Sequence, residues 1–455
     1  MLIEQFNRDQ LHKGAAQAID KDGAALVDAR EVAEPTPNES PAFKSRRNPS
    51  VTITSKEIVD EPLMAWSDFS GHCVGRYFYH HGEMIALQGD GYKKLRKLTE
   101  KVLAVKPFSY GLSETFVEVE IFKWWRAAIR DGISGTLSSH LLDESSRVFA
   151  KHQLMIPLAN LEIERAFRIG DVLITPFDPS LFENFGKEAT NLQYDQANSL
   201  LEYGRELREE FGHLTAVQIE VIGEPEFARD RARMVAADVA DVFRVMSPAA
   251  VSWNVRFACF PLGLEHEPRS TVIELRDQKF GVIQTGLLHS PSFRWSVSSA
   301  EIQRIMKEKG FRNCAVFFVD EPLKYYHKRV KVALSAYAQA VGAMDLRNRL
   351  LYAMSAAEHL LLRNENEPIQ TNVGERMAFL IAKEPSWRRE ILLNFKKVDG
   401  FRSRQVHHLA SVDDEDALST FFMNMWILML TAIQNIPNFS DHRDFLEKID
   451  DLKFA

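Results

Sequence analysis

The sequence predicts an α+β protein in which a strand-rich mixed N-terminal region precedes a C-terminal all-α, up-and-down helical bundle. Short runs in which apolar and polar residues alternate extend to about residue 320. After that residue, apolar residues recur at helical spacing. The chain of 455 residues is long enough for two or three cores. We expect four segments: a flexible polar segment at 1–55, a mixed α/β recognition or sensor region at 56–320, the bundle at 321–437 and an acidic tail at 438–455.

The N-terminal part carries mostly strand signals. Residues 1–55 are polar and interrupted by prolines, so we expect at most a short helix at 10–25. Residues 73–79 and 84–87 alternate around a His-His-Gly turn and predict a β-hairpin. Further strands are predicted at 116–122, 214–221, 253–260, 271–275, 281–285 and 315–318. Helices are predicted at 189–211, 227–243 and 299–309.

The C-terminal part is predicted to be almost entirely helical. The predicted helices span 323–343, 346–362, 373–382, 387–398, 401–410 and 417–436. The links between them are short, which is typical of an up-and-down bundle.

The composition argues against several classes of protein. The three cysteines are scattered and form no CxxC pair, so neither a zinc framework nor a disulfide scaffold is indicated. The first residues contain no apolar stretch of signal-peptide length. The most apolar run, 421–433, contains Asn424 and Thr431 and is shorter than the ~20 residues that cross a bilayer. We therefore expect a cytoplasmic protein with no membrane partner.

One histidine-rich group could be drawn as a metal site. His72, Cys73, His80 and His81 flank the predicted hairpin turn. The group lacks an acidic or second cysteine ligand at finger-like spacing, so a structural role is the better interpretation. We expect neither a metal nor a cofactor.

The charge is unevenly distributed along the chain. The net charge is −7, yet residues 322–410 carry +7 and residues 411–455 carry −6. A basic segment in an acidic protein suits a phosphate-backbone site, and we assign RNA contacts to Arg388, Arg389, Lys396 and Lys397. The alternative is that these four cations form an ordinary solvated helix face.

The densest set of phosphate-binding and proton-transferring side chains lies at 398–408. It contains Arg402, Ser403, Arg404, His407 and His408. Arginine offers a planar fork of donors to phosphate oxygens, and histidine exchanges protons near neutral pH. The spacing Arg-x4-His alone is weak, because it also occurs at 76/81, 147/152 and 208/213.

The surrounding order of motifs makes the fourth pair distinctive. Ser355-Ala-Ala-Glu358 lies on an apolar helix, Glu375-Arg376 begins another apolar run, and Arg402-Ser403-x-x-Val406-His407 follows. This order resembles the HEPN superfamily, most closely the ApeA-like HEPN domains, over residues 322–437. Two departures from the family pattern occur: Gly400-Phe401 replaces an aromatic–acid pair, and His408 replaces a glycine.

The resemblance implies a metal-independent ribonuclease in which two bundles form a homodimer and their Arg-x4-His segments face each other. The residue geometry agrees, because positions five apart on a helix project about 140° from each other. One helix therefore cannot easily present Arg402 and His407 to the same phosphate. The apolar helix at 418–436 is expected to form bundle core and part of the interface.

The expected chemistry assigns each side chain a role. His407 is the general acid or base, and Arg402 stabilises charge on the pentacoordinate phosphate. Ser403 orients the imidazole, and Glu358 orients Arg402 or His407. Arg404 and His408 are auxiliary phosphate contacts.

The expected partner is RNA, cleaved to 2′,3′-cyclic phosphate ends. The resemblance also implies a role in anti-phage abortive infection, with a phage-derived trigger acting on the N-terminal region. The alternative is a non-catalytic HEPN adaptor that serves for dimerisation or for binding RNA or nucleotides.

Overall fold

The fold is α+β in a computed structural model of the chain, with antiparallel sheets and helices in the N-terminal part and helices alone in the C-terminal part. The structure describes residues 11–33, 64–67, 72–81, 83–132, 135–183, 190, 194–262, 269–276, 279–287, 292–308, 310–364, 366–408 and 414–453. The side chains of 179, 182, 194, 195, 269–287 and 403–408 lie outside that description.

The elements divide between two compact units. The first unit comprises residues 1–152 and 221–231, and the second comprises 153–220 and 232–455. The elements up to residue 148 are helix α1 (Lys13–Val27), strands β1 (Glu31–Ala33), β2 (Met64–Ser67), β3 (Cys73–His80) and β4 (Glu83–Gln88), and helices α2 (Gly89–Leu103), α3 (Glu114–Arg130) and α4 (Leu137–Val148).

The first unit is built on a four-stranded antiparallel sheet in the order β1-β4-β3-β2. The predicted hairpin is confirmed, with Tyr77 opposite Ala86 in the β3–β4 register. Helices α1 to α4 supply most of the apolar core around Phe122 and Trp125. Helix α1 confirms the predicted N-terminal helix, and it buries Ile19 and Leu26 in that core.

The predicted strand at 116–122 is wrong, because these residues belong to helix α3. Its Val-Glu-Val-Glu-Ile sequence alternates like a strand, but Val117, Ile121 and Trp125 recur every four residues and are all buried. The Ser113 side chain accepts a hydrogen bond of 3.0 Å from the Phe116 backbone N–H and caps the helix. The cap and the i, i+4 stripe outweigh the local strand propensity.

The elements from residue 150 to 318 are mixed. They are β5 (Ala150–Leu158), β6 (Leu161–Ile163), β7 (Phe167–Ile169), β8 (Val172–Pro176), α5 (Tyr194–Phe211), β9 (Thr215–Gly223), α6 (Pro225–Met246), β10 (Arg269–Arg276), β11 (Lys279–Leu287), β12 (Trp295–Val297), α7 (Ser299–Glu308) and a 3-10 helix (Phe311–Phe318). Strands β5, β9, β8 and β7 form one sheet in that order, β6 pairs with β12 in parallel, and β10 pairs with β11 as a hairpin.

These elements confirm the predicted strands at 214–221, 271–275 and 281–285 and the three predicted helices in this region. The predicted strand at 315–318 is wrong, because Gly310 adopts a positive φ of 73° and a 3-10 helix follows it. The predicted strand at 253–260 is also wrong. Residues 253–254 form a bend and residues 255–260 have no assigned element, while Pro261 after them forms an isolated bridge to Leu158.

The C-terminal helices are α8 (Tyr325–Gly342), α9 (Leu346–Leu361), α10 (Ile369–Ile381), α11 (Pro385–His408), α12 (Glu415–Gln434) and α13 (His442–Asp451). The predicted helices are confirmed, except that those at 387–398 and 401–410 are one continuous helix, α11. Gly400 does not interrupt α11, because Val398 and Phe401 beside it are buried in the core and hold the helix in place.

The second unit has one continuous apolar core that includes Phe243, Trp295, Tyr337 and Phe421. No division occurs at residue 320, so the strand-bearing segments share their core with the helices. Residues 438–455 were predicted to be an acidic tail, but they include α13, whose Phe445, Leu446 and Ile449 are buried in this core. Their i, i+1, i+4 spacing gives α13 an apolar face despite its acidic composition.

Candidate functional site

Helix α11 carries nine of the ten residues assigned to the site from sequence. The tenth, Glu358, lies on α9. Buried Ile391, Phe395 and Val398 face the core, so the opposite side of α11 is open to solvent. The helix therefore separates core-facing from solvent-facing functional groups.

Arg402 is held by two carboxylates. Its Nη1 donates a 2.7 Å hydrogen bond to Oε1 of Glu358, and its Nη2 lies 3.0 Å from Oδ1 of Asp399 one turn earlier. Asp399 is fixed in turn by a 2.6 Å hydrogen bond that Gln370 Nε2 donates to its Oδ2. The Arg402 and Glu358 side chains are 22% and 25% exposed, so the ion pair is partly shielded from water. The guanidinium is oriented from two sides.

Glu358 was expected to orient Arg402 or His407, and it contacts Arg402. Asp399 and Gln370 were not assigned to the site. The spacing of Asp399 and Arg402 at i, i+3 is a signal that could have identified the acid. Gln370 lies on a different helix, α10, and its contact follows only from helix packing.

The remaining proton-transfer candidates are Ser403, Arg404, His407 and His408. They occupy the last two turns of α11, and their side chains lie outside the described part of the structure. Their roles stay predictions from sequence.

The four cations assigned to RNA separate into two classes. Arg388 donates a 2.9 Å hydrogen bond to the Ala382 carbonyl at the end of α10 and lies 4.3 Å from the centre of the Phe379 ring. Lys397 forms an ion pair with Asp414. Its hydrogen bond, together with one from the Ala417 backbone N–H, lowers the pKa of Asp414 below the ordinary value. Arg388 and Lys397 are thus engaged in structural contacts.

Arg389 and Lys396 differ from those two cations. Both are exposed, and neither has an ion-pair or hydrogen-bond partner among the residues that the structure describes. At about 100° per residue, positions 389, 396 and 407 fall within roughly 20° of each other around α11, whereas Arg402 points about 140° away from position 407. The continuous helix aligns two free cations with the histidine position.

Two of the other Arg-x4-His pairs contain residues with local structural contacts. Arg76 is buried and donates a 2.6 Å hydrogen bond to the Glu118 carboxylate. Arg147 pairs with Glu144 one turn earlier, and His152 Nε2 lies 3.1 Å from the Gly223 carbonyl. Arg208 lies near the end of α5, before His213. The pair Arg402/His407 lies in the C-terminal helices, and the other three pairs lie before them.

Arg376, part of the resemblance, is a buried structural arginine. It donates to the Leu361 carbonyl at 2.7 Å, to Glu367 at 2.7 and 3.0 Å and to Asp450 at 3.2 Å. Burial lowers the pKa of Arg376, but these hydrogen bonds outweigh it and raise the pKa above the ordinary value. The network joins α9, α10 and α13.

Two general features bear on the site's chemistry. Within the described ranges, no group of three His, Cys, Asp or Glu side chains is arranged to hold a metal ion. One helix, α12, is long and apolar enough to cross a membrane by length and composition. Leu418, Phe421, Phe422 and Met425 of α12 are completely buried in the protein core, as in the core helix of a globular domain.

Comparison with known proteins leaves the resemblance as an interpretation of the motifs. No family model matches the chain, and neither the curated proteins nor the solved structures contain a significant match.

Proposed function

We propose that this protein is a metal-independent endoribonuclease of the HEPN type, with a site composed from two copies of α11. The observation that carries the proposal is the geometry of that helix. Arg402 is held by a carboxylate pair at one side of the helix, and position 407 lies on the solvent-facing side, in line with Arg389 and Lys396, which are exposed and have no partner among the described residues. One helix cannot present both Arg402 and His407 to the same phosphate. A second copy would bring its own Arg402 and His407 to a shared cleft.

In the proposed reaction the 2′-hydroxyl of RNA attacks the adjacent phosphorus, and the bond from phosphorus to the 5′-oxygen breaks. One His407 takes the 2′-hydroxyl proton, and the His407 of the second copy gives a proton to the leaving 5′-oxygen. Arg402 stabilises the charge on the pentacoordinate phosphate. The products are a 2′,3′-cyclic phosphate and a 5′-hydroxyl, and DNA is not cut because it lacks the 2′-hydroxyl.

Glu358 and Asp399 act as positioning residues in this scheme. They hold the Arg402 guanidinium before RNA arrives, which lowers the entropy lost when the arginine meets a phosphate. Ser403, Arg404 and His408 keep the supporting roles assigned from sequence.

The test is cleavage of unmodified RNA, with EDTA present, by the wild type and by two variants. His407→Ala should lose ~10²–10⁴ in rate, the usual contribution of a general acid or base. His213→Ala is the matched control, because it makes the same change at an exposed histidine outside α11 and should leave the cleavage rate unchanged. Cleavage by His407→Ala at the wild-type rate would refute the assignment.

The second candidate is a non-catalytic HEPN adaptor that dimerises or binds RNA or nucleotides. The observation that favours it is the engagement of Arg402 by two acids, since the same contacts suit a purely structural arginine. Wild-type protein that binds RNA without producing cyclic phosphate ends would select the adaptor.

From the resemblance alone, we place this activity in cytoplasmic anti-phage defence. Residues 56–320 would sense a phage-derived trigger and release the nuclease, which then stops growth. Equal survival of phage-challenged cells that express wild-type or His407→Ala protein would contradict this role.

A further inference from the structure

The solvent-facing side of α11 is chemically different from its core-facing side. Positions 389, 393, 396, 400 and 407 fall within an arc of about 60° around the helix. Arg389 and Lys396 are exposed there without a partner among the described residues, and Leu393 between them is 61% exposed. From residue 389 to residue 407 this face is about 27 Å long.

Gly400 lies on the same face, between Lys396 and position 407. A Cβ atom at Gly400 would meet no described heavy atom within 4 Å, so packing within the described chain does not require glycine. Glycine in a helix interior is less favourable than alanine. Glycine places no side chain on this face at the point where the cations approach the histidine position.

The positive charges of Arg389 and Lys396 indicate which kind of partner this face binds. A second copy packed directly against the 389–396 end of this face, instead of across a cleft at position 407, would bring Arg389 and Lys396 of both chains together, and like charges disfavour that contact. A polyanion neutralises them. One row of cations with an exposed leucine suits a single strand, whose phosphates follow the charges and whose unpaired bases contact the apolar side chain.

We propose that Arg389, Leu393, Lys396 and Gly400 form a track for the backbone of single-stranded RNA that leads to position 407. The track deepens the nuclease proposal by naming the strand form of the substrate and the residues that guide it. Arg388 and Lys397 are not part of the track, although they are next to Arg389 and Lys396 in the sequence, because both side chains contact other residues of the protein.

The test measures binding of a short 2′-O-methyl oligoribonucleotide, which cannot undergo attack by a 2′-hydroxyl, as a function of salt. Each phosphate neutralised on a single strand contributes about 0.7 to the slope of log affinity against log salt. Arg389→Gln combined with Lys396→Gln should therefore lower the slope by about 1.4. The matched control, Lys397→Gln, should leave the slope unchanged. An unchanged slope in the double variant, or equal losses in variant and control, would overturn the track.

A second variant tests the glycine. Gly400→Ala should raise the midpoint of thermal unfolding, since alanine favours the helix and its Cβ meets no described atom within 4 Å, yet weaken binding of the oligonucleotide by adding a side chain to the track. A higher midpoint with unchanged affinity would remove Gly400 from the track. Duplex RNA of the same sequence should compete poorly, and equal competition would overturn the preference for a single strand.

These measurements separate the two proposals. Salt-dependent binding through Arg389 and Lys396 without cleavage of unmodified RNA would reject the nuclease and keep the track. Cleavage that depends on His407, with no effect of the double variant on binding, would reject the track and keep the nuclease.

Discussion

The Arg402 guanidinium and the Glu358 carboxylate lie 2.7 Å apart and join helices α9 and α11 at the candidate site. Both side chains are about three-quarters shielded from solvent, so their interaction is only partly screened. Glu358 therefore fixes the position of the Arg402 side chain from a different helix.

A double-mutant cycle measures this pair. Glu358→Gln, Arg402→Gln and the double variant should show a coupling free energy of ~1 kcal/mol, because each single change leaves the other charge without that partner. Urea unfolding of the four proteins provides the measurement. Additive single effects would mean that the contact contributes no stability.

Arg376 should matter far more for folding than an exposed arginine. Arg376→Gln leaves Glu367 and Asp450 partly buried without their cation, so we expect a loss of ~3–5 kcal/mol in the free energy of unfolding. Arg389→Gln, the same chemical change at an exposed position, should stay within about 0.5 kcal/mol of the wild type. Similar urea midpoints for the two variants would contradict the network's role.

His442 should make stability depend on pH. Burial lowers its pKa to about 4, the Leu360 carbonyl and Asp441 act in the opposite direction, and Arg329 and Arg376 add to the lowering. The folded-state pKa is below the ordinary value of 6.5, so the unfolded chain binds more protons between these values. The stabilisation is present above pH 6.5 and is lost as the pH falls towards 4.

The measurement is the unfolding free energy of the wild type and His442→Gln at pH 7 and pH 4.5. The difference between the two proteins should shift by up to about 3 kcal/mol, because His442 binds a proton in the unfolded wild-type chain while the folded imidazole stays largely neutral. A constant difference across this range would show that His442 does not titrate with a lowered pKa.

Gly170 should not tolerate a side chain. It has a φ of +56°, and a Cβ atom there would lie 2.6 Å from the Phe318 carbonyl oxygen. Gly170→Ala combines a clash with the ~1–2 kcal/mol cost of a left-handed conformation. Gly132→Ala at a φ of +80° has only the conformational cost, because no described atom lies within 4 Å. Thermal unfolding should therefore show a larger loss for Gly170→Ala.

Local patterns predicted much of the fold, because the formation of a helix or strand depends on the spacing of apolar residues over a short stretch of sequence. The alternation around His80 and His81 correctly gave the β3–β4 hairpin, and apolar spacing gave the C-terminal helices. Residues 116–122 show where this failed, since their strand-like alternation is overridden by the Ser113 cap and the buried face of α3.

The sequence by itself determined the α+β class and the concentration of positive charge around α11, because these depend on residue type and short-range spacing. It predicted that Glu358 orients Arg402 or His407, and the structure decided between them. Only the tertiary structure decided that α11 runs through Gly400, that Arg388 and Lys397 are engaged while Arg389 and Lys396 face solvent, and that α13 belongs to the core. Those outcomes depend on which neighbouring helix each face meets, and such long-range contacts leave no mark on the local pattern of residues.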